Sequence, residues 1–280
     1  MRWVLNRELL WSEQLKTISG KSAMLSLAQA AMLAALVVDA QATPVLTHHY
    51  SFNDGTTADS IGGAHGTLFN GASISGGALH LTELNNSGSA VEYMAMPANM
   101  LPSTSTTIEE WFTSNGTRAW GRGFDFGLQA RTNLFFTPKS SPNDSRVMLA
   151  NGGAETGPTG GRTLNDNVEH MVAAVIDGSG NSINYYIDGV LSGSSALAPN
   201  TLAGVNDVNN YLGRSQYDDP GFIGSIDDFR IYDGAASSAQ ILADFGAGPN
   251  GGVVPEPSSL ALAVLALSGL AATRRGTAGL

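Results

Sequence analysis

Between residues 45 and 249 the chain carries 20 Asp and Glu against 8 Lys and Arg, so carboxylates are its commonest reactive groups. A retaining glycosidase needs two carboxyls about 5 Å apart, which on a strand means acids at i and i+2 or i+4. The glutamates of this region stand at 83, 92, 109, 110, 155 and 169, and none opens such a spacing. Glu109 and Glu110 are neighbours, so on a strand they face opposite sides and cannot pair. His48, His49, His65, His80 and His170 are scattered, there is no Gly-x-Ser-x-Gly or His-Glu-x-x-His, and there is no cysteine. Nucleophilic, zinc and glycosidase chemistries are therefore disfavoured. Two constellations stay open. Asp54, Asp59, Asp227 and Asp228 offer the hard oxygen donors that suit Ca²⁺, and they equally suit the closing of turns by accepting backbone N–H groups. Trp120, Arg122, Arg214 and Tyr217 lie in or beside loops rich in Gly and Asp. There an aromatic face can stack on a sugar ring while guanidinium groups bind hydroxyls. The same side chains can instead cover an apolar edge or pair with Asp125 and Asp218.

The elements that would position these groups are strands. Helical periodicity is almost missing; short apolar alternations bounded by Gly, Asn, Asp and Ser recur instead. Strands are predicted at 46–52, 78–81, 90–94, 106–113, 123–128, 132–136, 146–150, 170–176, 182–187, 211–213 and 222–232. Asp188-Gly189 between Tyr186-Ile187 and Val190-Leu191 reads as a tight hairpin. In the last strand, alternation predicts Ile226, Asp228 and Arg230 on one face and Asp227, Phe229 and Ile231 on the other. Trp111 is expected in the core between sheets. One short helix is predicted, opened by a Ser237-x-x-Gln240 capping box, with Ile241, Leu242 and Phe245 at helical spacing and Gly246 as its stop. No repeat or domain break interrupts this block, and about a dozen strands fit one two-layered sandwich.

The 280-residue chain has an apolar segment at each end. Residues 24–38 are preceded by Lys16 and Lys21 and followed by Ala40-Gln41-Ala42, the pattern of a signal peptide that signal peptidase cleaves after Ala42. At the other end, Gly248-Pro249-Asn250-Gly251-Gly252 reads as a flexible linker. Val254-Pro255-Glu256-Pro257 follows, then the apolar run 260–272 and Arg274-Arg275, whose basic residues stop the run in a membrane. Net charge −12 over the middle disfavours nucleic acid as a partner.

Two resemblances follow from these residues. The segment Asn210-Tyr211-Leu212-Gly213-Arg214-Ser215, then Phe222-Ile223-Gly224-Ser225-Ile226-Asp227-Asp228-Phe229-Arg230-Ile231-Tyr232, resembles the closing motif of laminin-G-like domains. Tyr50-Ser51-Phe52-Asn53-Asp54-Gly55 resembles their opening, and Thr107 to Phe112, Val172 to Asp177 and Tyr186-Ile187-Asp188-Gly189 their centre. One departure is Asn167-Val168-Glu169-His170, which lacks the tryptophan that often precedes this histidine in the family. The likeness spans roughly residues 45–248 and implies an all-β, concanavalin A-like antiparallel jelly-roll sandwich. It further implies a structural calcium where the terminal strands meet, near Asp54, Asp59, Asp227 and Asp228. Glucanases of this fold use Glu-x-Asp-x-Glu or Glu-x-Asp-x-x-Glu, which is absent here. The Pro255-Glu256-Pro257 triplet, apolar run and arginines resemble the PEP-CTERM sorting signal. That signal implies an exosortase as partner, transient insertion of a C-terminal transmembrane helix, and delivery to the envelope or extracellular matrix of a Gram-negative-type bacterium. The expected organisation is a leader at 1–42, a sandwich at 45–248, a linker at 249–254, a sorting tail at 255–275 and a short end at 276–280. The expected function is non-catalytic carbohydrate binding or adhesion at the surface or in an exopolysaccharide matrix. A ligand-free structural envelope protein and a diverged polysaccharide-processing enzyme are the alternatives.

Overall fold

Strands dominate because β-branched and aromatic residues alternate with small polar ones between Gly, Asn and Asp turns. A computed structural model describes residues 43–82, Ser87 and 90–251. The chain divides into units 1–42 and 43–280, and every described residue lies in the second. The signal-cleavage residues Ala40 and Ala42 and the sorting residues Pro255, Glu256, Pro257, Arg274 and Arg275 fall outside the described residues. Among those described, no helix is long and apolar enough to cross a membrane.

Two antiparallel sheets form the body. The eight-stranded sheet has the order β12 (Val190–Ala196), β11 (Ser182–Ile187), β10 (Glu169–Asp177), β6 (Ser105–Ser114), β14 (Gly224–Asp233), β4 (Ala78–Leu81), β3 (Ser73–Ser75). β1 (Val45–Tyr50) pairs with the second half of β14, placing Tyr50 opposite Phe229. The six-stranded sheet runs β2 (Thr67–Phe69), β5 (Tyr93–Met96), β13 (Asn209–Leu212), β7 (Phe124–Gln129), β8 (Thr132–Thr137), β9 (Arg146–Asn151). The main core lies between the sheets, where Phe112, Phe124, Phe126, Phe136, Ile226 and Phe229 are buried. Asp188 and Gly189 both take positive φ, 52° and 78°, as the two-residue turn joining β11 to β12 requires. The short strands β2 and β3 carry too few residues for periodicity to reveal them.

Three local expectations are corrected. First, the alternation of β14 is broken by a bulge between Ile226 and Asp228. Ile226, Phe229 and Ile231 therefore all enter the inter-sheet core, while Asp228 and Arg230 face outward. One extra residue shifts the two-residue period by one face. Second, Trp111 is not in the inter-sheet core. It packs in a second, outer core with Met171, Ala173, Val175, Tyr186, Ala236 and Ile241, beneath helix α1 (Ser238–Ala247). The Arg230 guanidinium lies 4.4 Å from its ring centroid. Third, Gly246 does not stop α1, which runs to Ala247 and ends at Gly248 with φ 78°. Ser237 does cap the helix, accepting from the Gln240 backbone N–H at 3.2 Å. The Gln240 side chain, however, donates to Asp244 at 3.0 Å instead of closing the box.

The chain beyond α1 is held, not free. Arg230 Nη2 donates to the carbonyls of Gly248, Pro249 and Gly251 at 3.4, 3.0 and 3.3 Å. Residues 248–251 are thereby strapped to the outer face of the eight-stranded sheet.

Candidate functional site

The outer face of the six-stranded sheet gathers the aromatic and cationic groups. Tyr93 on β5 and Tyr211 on β13 lie across one ladder, at adjoining register positions opposite Phe69 and Asp125. Phe69, 40% exposed, stacks on Tyr93 with centroids 4.8 Å apart and planes 7° from parallel. Tyr93 meets Tyr211 edge-on at 5.3 Å. The Arg214 guanidinium sits 4.9 Å from the Tyr93 ring and 4.7 Å from the Tyr211 ring. Arg214 makes no ion pair with Asp218 or any other described acid, and its Nε has no hydrogen-bond partner. Phe69 and Tyr211 are thus presented on this face with one half-buried cation, while Tyr93, 8% exposed, lies covered between them. Sequence alone flagged only Arg214. The remaining signal was weak: Phe69, Tyr93 and Tyr211 are aromatics at outward positions of strands, two of them on short edge-side strands.

A second cluster lies beside it. Arg122 is 2% exposed, so it cannot touch a ligand, contrary to the expectation from its loop position. It is locked by Asp219 at 2.8 Å and Asp125 at 3.6 Å, with its guanidinium 4.0 Å from the Phe135 ring. The turn after β13 closes over it: Gln216 N–H donates to Asp125 at 2.9 Å and Ser215 Oγ to Asp219 at 3.0 Å. Burial pushes the Asp125 carboxyl up to about 7 against the pull of Arg122 and the Gln216 N–H. Trp120 and Tyr217 frame this cluster, their rings 5.6 and 5.9 Å from the Arg122 guanidinium. Trp120 holds φ 75°, an uncommon angle for a bulky residue, anchored by its indole N–H donating to Ser141 at 2.8 Å. Tyr217 donates to Glu155 at 2.8 Å, and burial raises its phenol to about 12. The structure therefore brings Trp120, Arg122 and Tyr217 together and sets Arg214 on the neighbouring aromatic row.

The four aspartates do not form a cage. Asp59 accepts from His48 Nδ1 at 2.7 Å and from the backbone N–H groups of His49, Ile61, Gly62 and Ala64 at 3.0 Å each. Burial opposes its ionisation, but these five donors outweigh it and hold the carboxyl at about 2. They also use the oxygen lone pairs that calcium would need. Asp228 pairs with His49 at 2.9 Å and Arg230 at 2.8 Å. Asp54 closes an exposed turn through the Thr56 N–H and hydroxyl. Asp227 lies on the bulge, where burial and then the charge of Glu169 raise its carboxyl to about 6. Among the described residues no group of three or more His, Asp or Glu is arranged to hold a metal ion. These residues do not fit a calcium site.

Nor do they form a hydrolase pair. Glu109 lies on the outer side, accepting from the Tyr232 hydroxyl at 3.2 Å, whereas Glu110 points into the inter-sheet core beside Gly123 and Phe136.

Comparison with known proteins agrees with this architecture. The family profile described as the concanavalin A-like lectin/glucanases superfamily matches residues 87–242, more than half the chain. A PEP-CTERM protein-sorting motif matches residues 253–275. A search of curated proteins finds no match to the sequence. Among solved structures, domain 4 of AbnA, a GH43 extracellular arabinanase from Geobacillus stearothermophilus, in complex with arabinotriose, is similar. It is 20% identical, with 72% of this chain and 98% of that chain covered and a TM-score of 0.59. The binding domain of botulinum neurotoxin DC, solved with rat synaptotagmin II, is 15% identical over 72% of this chain and 51% of that one, with a TM-score of 0.57. The chain thus spans about half that toxin domain. At these identities the likeness is one of fold.

Proposed function

The chain belongs to the concanavalin A-like lectin/glucanase superfamily and carries a PEP-CTERM protein-sorting motif, and on that premise we propose that it is a non-catalytic, exported carbohydrate-binding protein. Its place of action in this reading is the envelope or extracellular polysaccharide matrix, reached through signal peptidase and an exosortase. The observation that carries the reading is the row Phe69, Tyr93, Tyr211 with Arg214 among the rings. Flat aromatic faces accept the apolar C–H face of a sugar, while the guanidinium offers donors to hydroxyls at low cost in ordering. Trp120 and Tyr217 extend the row towards β8, and Arg122 with Asp125 stiffens the floor beneath them. The arabinanase domain of the same fold, solved with arabinotriose, lends support from another protein.

Turnover is not part of this reading, because the chain lacks the glutamate spacing of the fold's glucanases and Glu109 and Glu110 lie on opposite sides of their strand. Nor is calcium: Asp59 and Asp228 are engaged by His48, His49 and Arg230 at the β1 and β14 seam, Asp54 closes a turn through Thr56, and Asp227 joins no metal-binding group with them. The test is affinity electrophoresis against a panel of bacterial exopolysaccharides, with Phe69→Ala and Arg214→Ala as variants. Retardation of wild type, weakened about tenfold in each variant as expected for losing a stacked ring or a charged donor, supports the reading. No retardation by any polysaccharide would leave the ligand-free structural protein as the better account. Release of reducing sugar would replace both by an enzyme.

A further inference from the structure

Helix α1 and the strapped residues 248–251 cover only part of the outer face of the eight-stranded sheet. The outer core ends at the register row Met171, Trp111, Asp228. The next row, Glu169, Thr113, Ser225, His80, Ser73, crosses five strands in register. Over it opens a groove of about 410 Å³ lined by His80, Thr82, Thr113, Asn115, Asn167 and Ser225. That volume suits a small ligand. The polar part of the lining is two amides, three hydroxyls and an imidazole, a set that both donates to and accepts from hydroxyl groups, and Leu81, Ile223 and Gly224 complete it. No Phe, Tyr or Trp lines it, and its one aromatic ring, the His80 imidazole, is tied to the Ser75 carbonyl.

Beside this lining stand two carboxylates without an ion-pair partner among the described residues. Glu169 stands in the register row itself, and Asp227, on the β14 bulge two residues from Ser225, is close enough to Glu169 and His80 to feel their charges. Neither Asp227 nor Glu169 makes a hydrogen bond or ion pair with a described residue. Asp228 on the same strand is already engaged by His49 and Arg230. The His80 Nε2 is spent on the Ser75 carbonyl at 3.0 Å. We infer that this groove binds a saccharide unit bearing a free amino group, its hydroxyls met by the polar row and its ammonium by Asp227 and Glu169. An ammonium brings three donors and one charge, which two facing carboxylates match. The net charge of −12 over residues 45–249 favours a cationic polymer at longer range and repels an anionic one.

The unliganded carboxylates are a cost the fold carries. Burial, and then Glu169, raise the Asp227 carboxyl to about 6. Raised above its unfolded value, it contributes stability in acid that is lost as pH rises towards 6. A purely structural position gains nothing from that arrangement, whereas binding sites retain such unfavourable groups for the ligand's sake.

This groove lies on the opposite sheet from the aromatic row, so the two are separable. The full chain, purified in mild detergent, is titrated calorimetrically with glucosamine oligomers, their N-acetylated counterparts and neutral gluco-oligomers. Wild type is expected to prefer the free-amine oligomers by about tenfold or more, the worth of a charge-assisted contact, with binding weakening below pH 6 as Asp227 takes up its proton. Asp227→Asn and Glu169→Gln should each remove that preference while melting at or above the wild-type temperature, and Phe69→Ala should leave it intact. Equal binding of acetylated and free-amine oligomers, full binding by the Asp227→Asn, Glu169→Gln double variant, or no binding of the free-amine oligomers by wild type would overturn the inference. Loss in Phe69→Ala alone would assign the amine-bearing ligand to the aromatic row and overturn it too.

Discussion

Glu110 sits in the inter-sheet core with neither carboxyl oxygen hydrogen-bonded, and burial alone drives its pKa well above the ordinary value of 4.5. Burial therefore favours its acid form in the folded protein. Stability from this group is full below pH 4.5 and declines as pH rises towards the folded value, by at most ~1.4 kcal/mol per pH unit. Glu110→Met, similar in volume and free of an unpartnered acid, should stabilise the protein at pH 8 by about 1–3 kcal/mol and flatten this decline. Urea unfolding across pH 4 to 8 measures both; an unchanged slope would refute the assignment. That Glu109 and Glu110 face opposite ways was legible from their adjacency alone. That Arg122 is buried was not, because its cover comes from the turn carrying Ser215 and Gln216, about 90 residues away in sequence. Asp59 was legible only as one of two alternatives. Choosing between turn cap and metal ligand required counting its five donors.

At the scale of elements, β14 shows where period-two reasoning stops. Its apolar residues and its place beside Tyr50 were readable, but a bulge at Asp227 is one inserted residue and leaves no mark in composition. It moves Phe229 into the core and sends Asp228 and Arg230 outward, where they fill the space under the strap of residues 248–251. Arg230 there faces Asp228 and Glu109 together with three carbonyls. Arg230→Met should therefore cost about 3–5 kcal/mol, since it strands buried acids. Adding Asp228→Asn and Glu109→Gln should recover much of that loss; no recovery in thermal unfolding would show that packing, not charge, dominates at Arg230. Helix α1 was legible from its Ser237 cap and apolar spacing, and Ser237→Ala should cost about 1 kcal/mol through the lost Gln240 N–H bond. Trp111 was misplaced because strands with both faces buried give no alternation from which to choose a side.

For the whole molecule, two covered cores on one sheet and an open aromatic face on the other divide the protein into a built interior and a working surface. The strap at 248–251 ends two residues before the sorting motif begins at 253. Thermal unfolding should be unchanged, within about 1 °C, by EDTA or added Ca²⁺, as hydrogen-bonded acids require; a calcium-dependent rise would restore the metal reading of Asp54, Asp59, Asp227 and Asp228. The most direct test of the central claim is hydrogen-exchange mapping of the protein with and without the polysaccharide of its own matrix. The account predicts new protection concentrated in β2, β5 and β13, around Phe69, Tyr93 and Tyr211. Protection confined to other strands, or none with saturating polysaccharide, would contradict it.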